Sequence, residues 1–225
     1  MIKICVSGSS GKMGSSILEL AKQDPELSVS GEFDVIEENP EQFIEKCDCL
    51  IEFTAPQATM EHIALCVKHN KAVVIGTTGF SEDERKKVEE ASEKIPVVLS
   101  PNMAVGVNLL FKMVADAAKV LGKEYSIEIV EAHHVHKKDS PSGTAKEIAR
   151  IIKEGKGDVK IPIESVREGE IVGEHTVTFE SSVDLIEITH SAKTRDIFAK
   201  GALQAAKFVV GKKHGLFTMK DVLAL

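Results

Sequence analysis

Through the first hundred positions, short runs of β-branched and aliphatic residues alternate with stretches patterned at helical spacing. The apolar runs at 2–6, 27–32, 49–53, 72–75 and 97–99 predict five strands. Between the first two, Met13, Ile17, Leu20 and Ala21 recur as one face of a helix. Pro56 suits the first turn of a helix reaching Asn70, and Ser81 with Glu84 reads as a capping box before a charged helix ending near Lys94. Strands separated by helices in this order predict an α/β fold, a parallel sheet with crossover helices.

After Pro101 the pattern changes. A long apolar helix is predicted at 105–121, an alternating strand at 126–132 and a helix at 143–153 whose end Gly155 marks. Further strands are predicted at 164–167, 175–180 and 185–190, the last two joined by a turn at 181–184. These make a second, smaller α+β domain at 105–192. Ile197, Phe198, Leu203, Ala206 and Val209 then predict a final helix, and 218–225 a short closing one. This segment, 193–225, is expected to return to the first domain, 1–104. No repeat or low-complexity stretch interrupts the chain.

Composition adds exclusions. With 225 residues, 43% apolar and 28% charged, the chain can bury a sizeable core and lacks the signature of disorder. Acidic residues outnumber basic ones by 35 to 28, a net charge of −7, and no Lys/Arg run would neutralise a row of phosphates. Nucleic acid is therefore not an expected partner. The opening MIKICVSG has neither the apolar run of a signal peptide nor the span of a membrane helix, so a cytoplasmic protein with no membrane partner is expected. Cys5, Cys47, Cys49 and Cys66 lie in or near apolar segments without a CxxC pair, and are expected to be reduced, buried thiols.

Two segments carry candidate chemistry. Gly8, Gly11 and Gly14 form a G-x-x-G-x-x-G turn between the first strand and first helix, where backbone N–H groups can approach a pyrophosphate. Asp34, 20 residues beyond Gly14 at the end of the second strand, is placed to take ribose hydroxyls. Gly76, Thr77 and Thr78 follow the fourth strand, at the edge where open α/β sheets bind ligands. The bland alternatives are a tight turn without ligand and a strand-ending turn. The densest cluster is EAHHVHKKDSPSGTA, residues 131–145. On a continuing strand His133 and His134 would face opposite sides, one an acid and the other a binder. Lys137 and Lys138 bring positive charge, and Ser142, Gly143 and Thr144 open a helix whose N–H groups suit a carboxylate. A metal on His133, His134, His136 and Asp139 is the sharp rival, and a solvated loop the bland one. Adjacent histidines point apart and no second cluster completes a familiar spacing, so no metal is expected. A nucleotide-sensing regulator would keep the glycine turn but need no proton donor.

Together VSGSSGKMG, GTTG, SPNMAVGVN, EAHHVHKKDSPSGTA, HSAKTRDIFAKGAL and GLFTMKDVL make the chain resemble the 4-hydroxy-tetrahydrodipicolinate reductase family over nearly its whole length. The resemblance implies a homotetramer with a Rossmann-like nucleotide domain and a second domain for substrate binding and oligomerisation. It implies hydride transfer from NADH or NADPH to a small dicarboxylate, with closure about the crossings near 103–106 and 191–195. His133 is then the general acid and Lys137 its helper, while His134, Gly143 and Thr144 hold the substrate carboxylates. The nucleotide contacts implied are Gly8, Ser9, Ser10, Gly11, Lys12, Met13, Asp34, Gly76, Thr77, Thr78, Ser100, Pro101, Asn102 and Met103. Lys12 stands where many members have arginine, Val35 stands where dual-cofactor members often do, and the stretch 35–46 is brief. With Asp34 repelling a 2′-phosphate and Val35 offering it no cation, NADH is expected to be preferred.

Overall fold

In the computed structural model, which describes residues 1–34 and 39–225, the first apolar run forms β1 (Ile2–Ser7) and leads through the glycine turn into α1 (Lys12–Lys22). The chain continues through β2 (Leu27–Phe33), α2 (Glu41–Ile44), β3 (Cys49–Glu52), α3 (Pro56–Lys68), β4 (Ala72–Ile75), α4 (Glu82–Ser92) and β5 (Pro96–Leu99). β3 and β4 are buried at every position, as central strands covered on both faces must be. Pro56 takes the first turn of α3, and Ser81 with Glu84 caps α4 reciprocally.

The unit Gly106–Arg195 follows. It holds most of α5 (Val105–Val120), then β6 (Ser126–His133), α6 (Gly143–Lys156), β7 (Ile163–Arg167), β8 (Gly173–Glu180) and β9 (Leu185–Ala192). Its sheet runs β7-β6-β8-β9, with β6 parallel to β7 and antiparallel to β8. β6 and β8 alternate strictly, burying Ile127, Ile129, Val177 and Phe179 on one face. Gly155 does not end α6. It lies inside the helix, where an added Cβ would sit 3.3 Å from that of Ala118, so its small size serves the close approach of α5. The helix stops two residues later at Gly157, whose φ of +82° is the left-handed conformation that glycine tolerates.

The remaining chain, α7 (Asp196–Val209), β10 (Gly215–Phe217) and α8 (Met219–Leu223), joins Met1–Val105 in the other unit. That unit carries a parallel sheet in the order β10-β5-β4-β3-β1-β2. It has six strands rather than five, because β10 pairs with β5 through only three residues, too few to show a period. Ile4 and Val6 of β1 pack with α1 and α7, whereas Cys5 packs with α2, α3 and α4 on the other side. All four cysteines are buried free thiols, and burial pushes Cys47 up to about 11. The units are a Rossmann-like parallel domain and a smaller α+β domain. Among the described residues no helix is long and apolar enough to cross a membrane.

Candidate active site

From β1 the chain steps to β2 on one side and then crosses to β3 on the other, so the strand order reverses between β1 and β3 while every strand stays parallel. Open α/β sheets bind ligands beyond the carboxyl ends of the strands at such a point. Here Gly8 adopts φ +74°, and a Cβ on it would fall 2.7 Å from the Phe53 carbonyl oxygen. A Cβ on Gly14 would lie 2.1 Å from the Gly8 carbonyl oxygen, so the turn closes against α1 only with glycine there. Gly11 is the N-cap of α1 and supplies no side-chain cap, which leaves the N–H groups of the Lys12 and Met13 turn for an outside acceptor. Asp34 lies at the loop tip, its Oδ2 accepting from the Ser10 N–H at 2.9 Å and from the Ser9 hydroxyl at 3.5 Å. A cavity of about 240 Å³ opens here, bounded by the loop, Asp34, Phe53, Thr54 and Ala55. Val35 lies outside the described residues.

The neighbouring strand ends complete this edge. Gly76 lies under the Phe53 ring, 2.2 Å from where its Cβ would be. Thr77 Oγ1 accepts from the Thr54 N–H and the Thr59 hydroxyl, each at 3.1 Å, tying the end of β3 to that of β4. Thr78 and Pro101 line a second cavity of about 420 Å³ beyond β4 and β5. The Ser100 hydroxyl donates to the Asn102 carbonyl at 2.8 Å, and Asn102 Oδ1 accepts from the Ala104 N–H at 2.9 Å. Met103 turns its side chain into the core. Below the edge, Glu52 is fully buried, 2.8 Å from His62 Nδ1 and hydrogen-bonded by the Thr54 hydroxyl. Sequence reasoning missed Glu52, Phe53 and Thr54, although their place at the end of the third strand, beside the reversal, was the signal for them. A glycine cradle, an uncapped helix N-terminus and a carboxylate after β2 fit a dinucleotide.

In the other unit, Glu131 and His133 occupy alternate positions on the buried face of β6. Arg167 of β7 lies opposite His133, and His175 of β8 opposite Glu131. Glu131 has no exposed surface. Its Oε1 accepts from Arg167 Nη2 at 2.8 Å and the Ser142 N–H at 3.2 Å; its Oε2 accepts from Arg167 Nη1 at 3.0 Å and His133 Nδ1 at 2.5 Å. Burial alone would push this carboxyl up, but its donors, Arg167 foremost, hold it down at about 2. Burial pushes His133 below the ordinary histidine value, with Glu131 pulling the other way. The His133 and His175 rings meet edge to face at 5.2 Å, and burial, with the charge of His133, pushes His175 down to about 4.

Ser142 caps α6, accepting from the Ala145 N–H at 3.2 Å, and its hydroxyl lies 3.2 Å from His175 Nε2. Gly143 and Thr144 thus begin the helix directly beside the Glu131 network, and the space above Gly143 is open. Lys137 is ion-paired with Asp139 at 2.7 Å, and Arg167 Nη2 donates to the Asp139 carbonyl at 2.7 Å, fastening that turn to β7. His134 lies just past β6, its Nε2 3.3 Å from Arg195 Nη2 and its buried Nδ1 without a hydrogen-bond partner among the described residues. The structure therefore gathers His133, Gly143 and the cap of Thr144's helix around Glu131. It adds Glu131, Arg167, His175 and Arg195, which sequence reasoning did not single out.

Comparison with known proteins covers both units. Residues 2–103 match the family model "Dihydrodipicolinate reductase, N-terminus" and residues 106–223 match "Dihydrodipicolinate reductase, C-terminus". The 4-hydroxy-tetrahydrodipicolinate reductase of Geotalea uraniireducens is 39% identical over 266 residues, covering all of both chains. That of Chromohalobacter salexigens is 40% identical over 269 residues, covering all of this chain and 99% of the other. Among solved structures, dipicolinate-bound dihydrodipicolinate reductase from Paenisporosarcina sp. TG-14 superposes with a TM-score of 0.85 at 24% identity, covering 98% of each chain, and so bears on the fold. With each of its halves matched by a model of one family and relatives near 40% identity along its whole length, the chain belongs to the dihydrodipicolinate reductase family, the 4-hydroxy-tetrahydrodipicolinate reductases of lysine and diaminopimelate biosynthesis.

Proposed function

We propose that the chain reduces 4-hydroxy-tetrahydrodipicolinate to tetrahydrodipicolinate, with NADH preferred over NADPH and with His133 as the proton donor. The observation that carries this reading is the buried Glu131–His133 pair beside the open N-terminus of α6. When bound, the dihydronicotinamide supplies a hydride to the conjugated cyclic imine left by loss of water from the substrate. Negative charge then develops on the ring, and His133 discharges it by giving up a proton. Thr144 and the Gly143 N–H, with Lys137, His134 and Arg195, hold the two carboxylates and orient the ring. The glycine turn and the N-terminus of α1 take the pyrophosphate, and Asp34 accepts from the adenosine ribose. Gly76 to Thr78 and Ser100 to Met103 shape the remainder of the nucleotide site at the ends of β4 and β5.

The assembly proposed is a cytoplasmic homotetramer. In its favour, β9 is an edge strand whose approach and start leave Val183 89% and Leu185 55% exposed, a surface that invites a partner strand or sheet. The functional reading is tested by steady-state kinetics with freshly generated substrate. His133→Gln should lower kcat by about 100-fold or more, as loss of a general acid does, while NADH affinity stays unchanged. Unaltered turnover would remove His133 from the mechanism.

A further inference from the structure

We propose that Glu131 is a positioning residue that fixes the neutral His133 ring in the Nδ1–H tautomer, and that Arg167 keeps Glu131 ionised for this role. The catalytic consequence rests on His133 being the proton donor; the tautomer itself does not. An ionised carboxylate has only acceptors, so the 2.5 Å contact between Glu131 Oε2 and His133 Nδ1 requires the proton on Nδ1. Arg167 reaches both carboxylate oxygens and the Ser142 N–H adds a third donor, which leaves no room for the acid form. Nε2 then faces away from Glu131 over Gly173, where a Cβ would stand 3.1 Å from it, so glycine at that position leaves Nε2 approachable.

The chemistry follows from that orientation. Protonation of Nε2 creates an imidazolium that Glu131 stabilises, and release of that proton to the substrate restores the same neutral tautomer without a ring flip. The other titratable groups around His133 are Lys137 and Asp139 beyond β6, Arg167 on β7 and His175 on β8, with His190 of β9 on the far side of His175. Arg167 and Lys137 disfavour the imidazolium, so Glu131 is the group that restores it.

Glu131→Gln tests the assignment while keeping the shape. Two donors that cannot become acceptors, Arg167 Nη2 and the Ser142 N–H, meet at the Oε1 position against one, Arg167 Nη1, at Oε2, and the pair will draw the amide oxygen to Oε1. The amide NH₂ then faces His133, which must switch to the Nε2–H tautomer to accept from it. The readout is long-range ¹H–¹⁵N NMR of the full chain labelled in its histidines, at a pH where the imidazoles are neutral. The His133 signals are identified by their loss in His133→Gln.

The parent should show Nδ1 protonated, and Glu131→Gln should show Nε2 protonated. In the variant kcat should fall about 100-fold, and the alkaline decline of kcat/KM should move to lower pH because the imidazolium has lost its carboxylate. NADH affinity should not change. Nε2 protonated in the neutral parent, or a variant destabilised with its tautomer unaltered, would overturn the proposal. If the variant does not fold, the parent spectrum alone decides. A switched tautomer with normal turnover would sustain the positioning role and overturn His133 as the acid, so the two readings fail separately.

Discussion

Lys137 is ion-paired with Asp139 at 2.7 Å, so a substrate carboxylate bound there as proposed would share that lysine with an acid already present. Lys137→Ala should raise KM and lower kcat together, since a charge-assisted contact is roughly twice as strong as a neutral one. Asp139→Asn should lower KM; a fall in nucleotide affinity alone in either variant would contradict the placement. The buried pair behind them makes a second expectation. Glu131 sits at about 2 in the folded chain against an ordinary 4.5, so the native state binds fewer protons there. The stability it contributes, on the order of 3 kcal/mol, is present above pH 4.5 and lost as pH falls toward 2. His175, at about 4 against 6.5, adds a loss over the window from pH 6.5 down to 4. Urea unfolding from pH 7 to 2.5 should show both declines, and His175→Asn should flatten the upper one. His133 and Lys137 are legible in the sequence because they crowd into one motif. The role of Glu131 is not, because its partner Arg167 stands 36 positions away and only the pairing of β6 with β7 brings them together.

At the scale of elements, the edge formed by β1, β3 and β4 is built around glycines that admit no side chain. Gly76→Ala would drive a Cβ to 2.2 Å from the Phe53 ring, and Phe53 bounds the cavity beside Asp34. The variant should keep its sheet yet lose much of its NADH affinity, measured by fluorescence titration; unchanged affinity would place the cofactor elsewhere. The first five strands, the helices α1, α3 and α4 and the capping box of α4 are legible because each has a local cause: an apolar run, a period or a fixed offset; α2, a single turn of four residues, shows no period. β10 is not, since three residues show no alternation and pair only because β5 offers a free edge. Gly155 misleads for a related reason, because its small size answers to α5, a contact no local rule contains.

For the whole molecule, the proposed function assigns the nucleotide to the parallel unit and the dicarboxylate to the α+β unit. Asp34, bound at the tip of the glycine loop, should make NADH the better donor, and Asp34→Ala should shift the ratio of specificity constants toward NADPH at fixed ionic strength. A parent that favours NADPH strongly and does not respond would show that Asp34 is not at the ribose. Light scattering of the purified chain should report four copies, and Leu185→Lys on the exposed edge of β9 should weaken that assembly. Hydride transfer from the nicotinamide to the ring of the substrate is the step on which the proposed function stands. It is tested most directly by mixing the enzyme with NADH deuterated at the transferring position and 4-hydroxy-tetrahydrodipicolinate freshly generated by the preceding synthase, then weighing the product by mass spectrometry. One deuteron should appear in tetrahydrodipicolinate for each NADH oxidised; NADH left unconsumed, or a product without the label, would contradict the account.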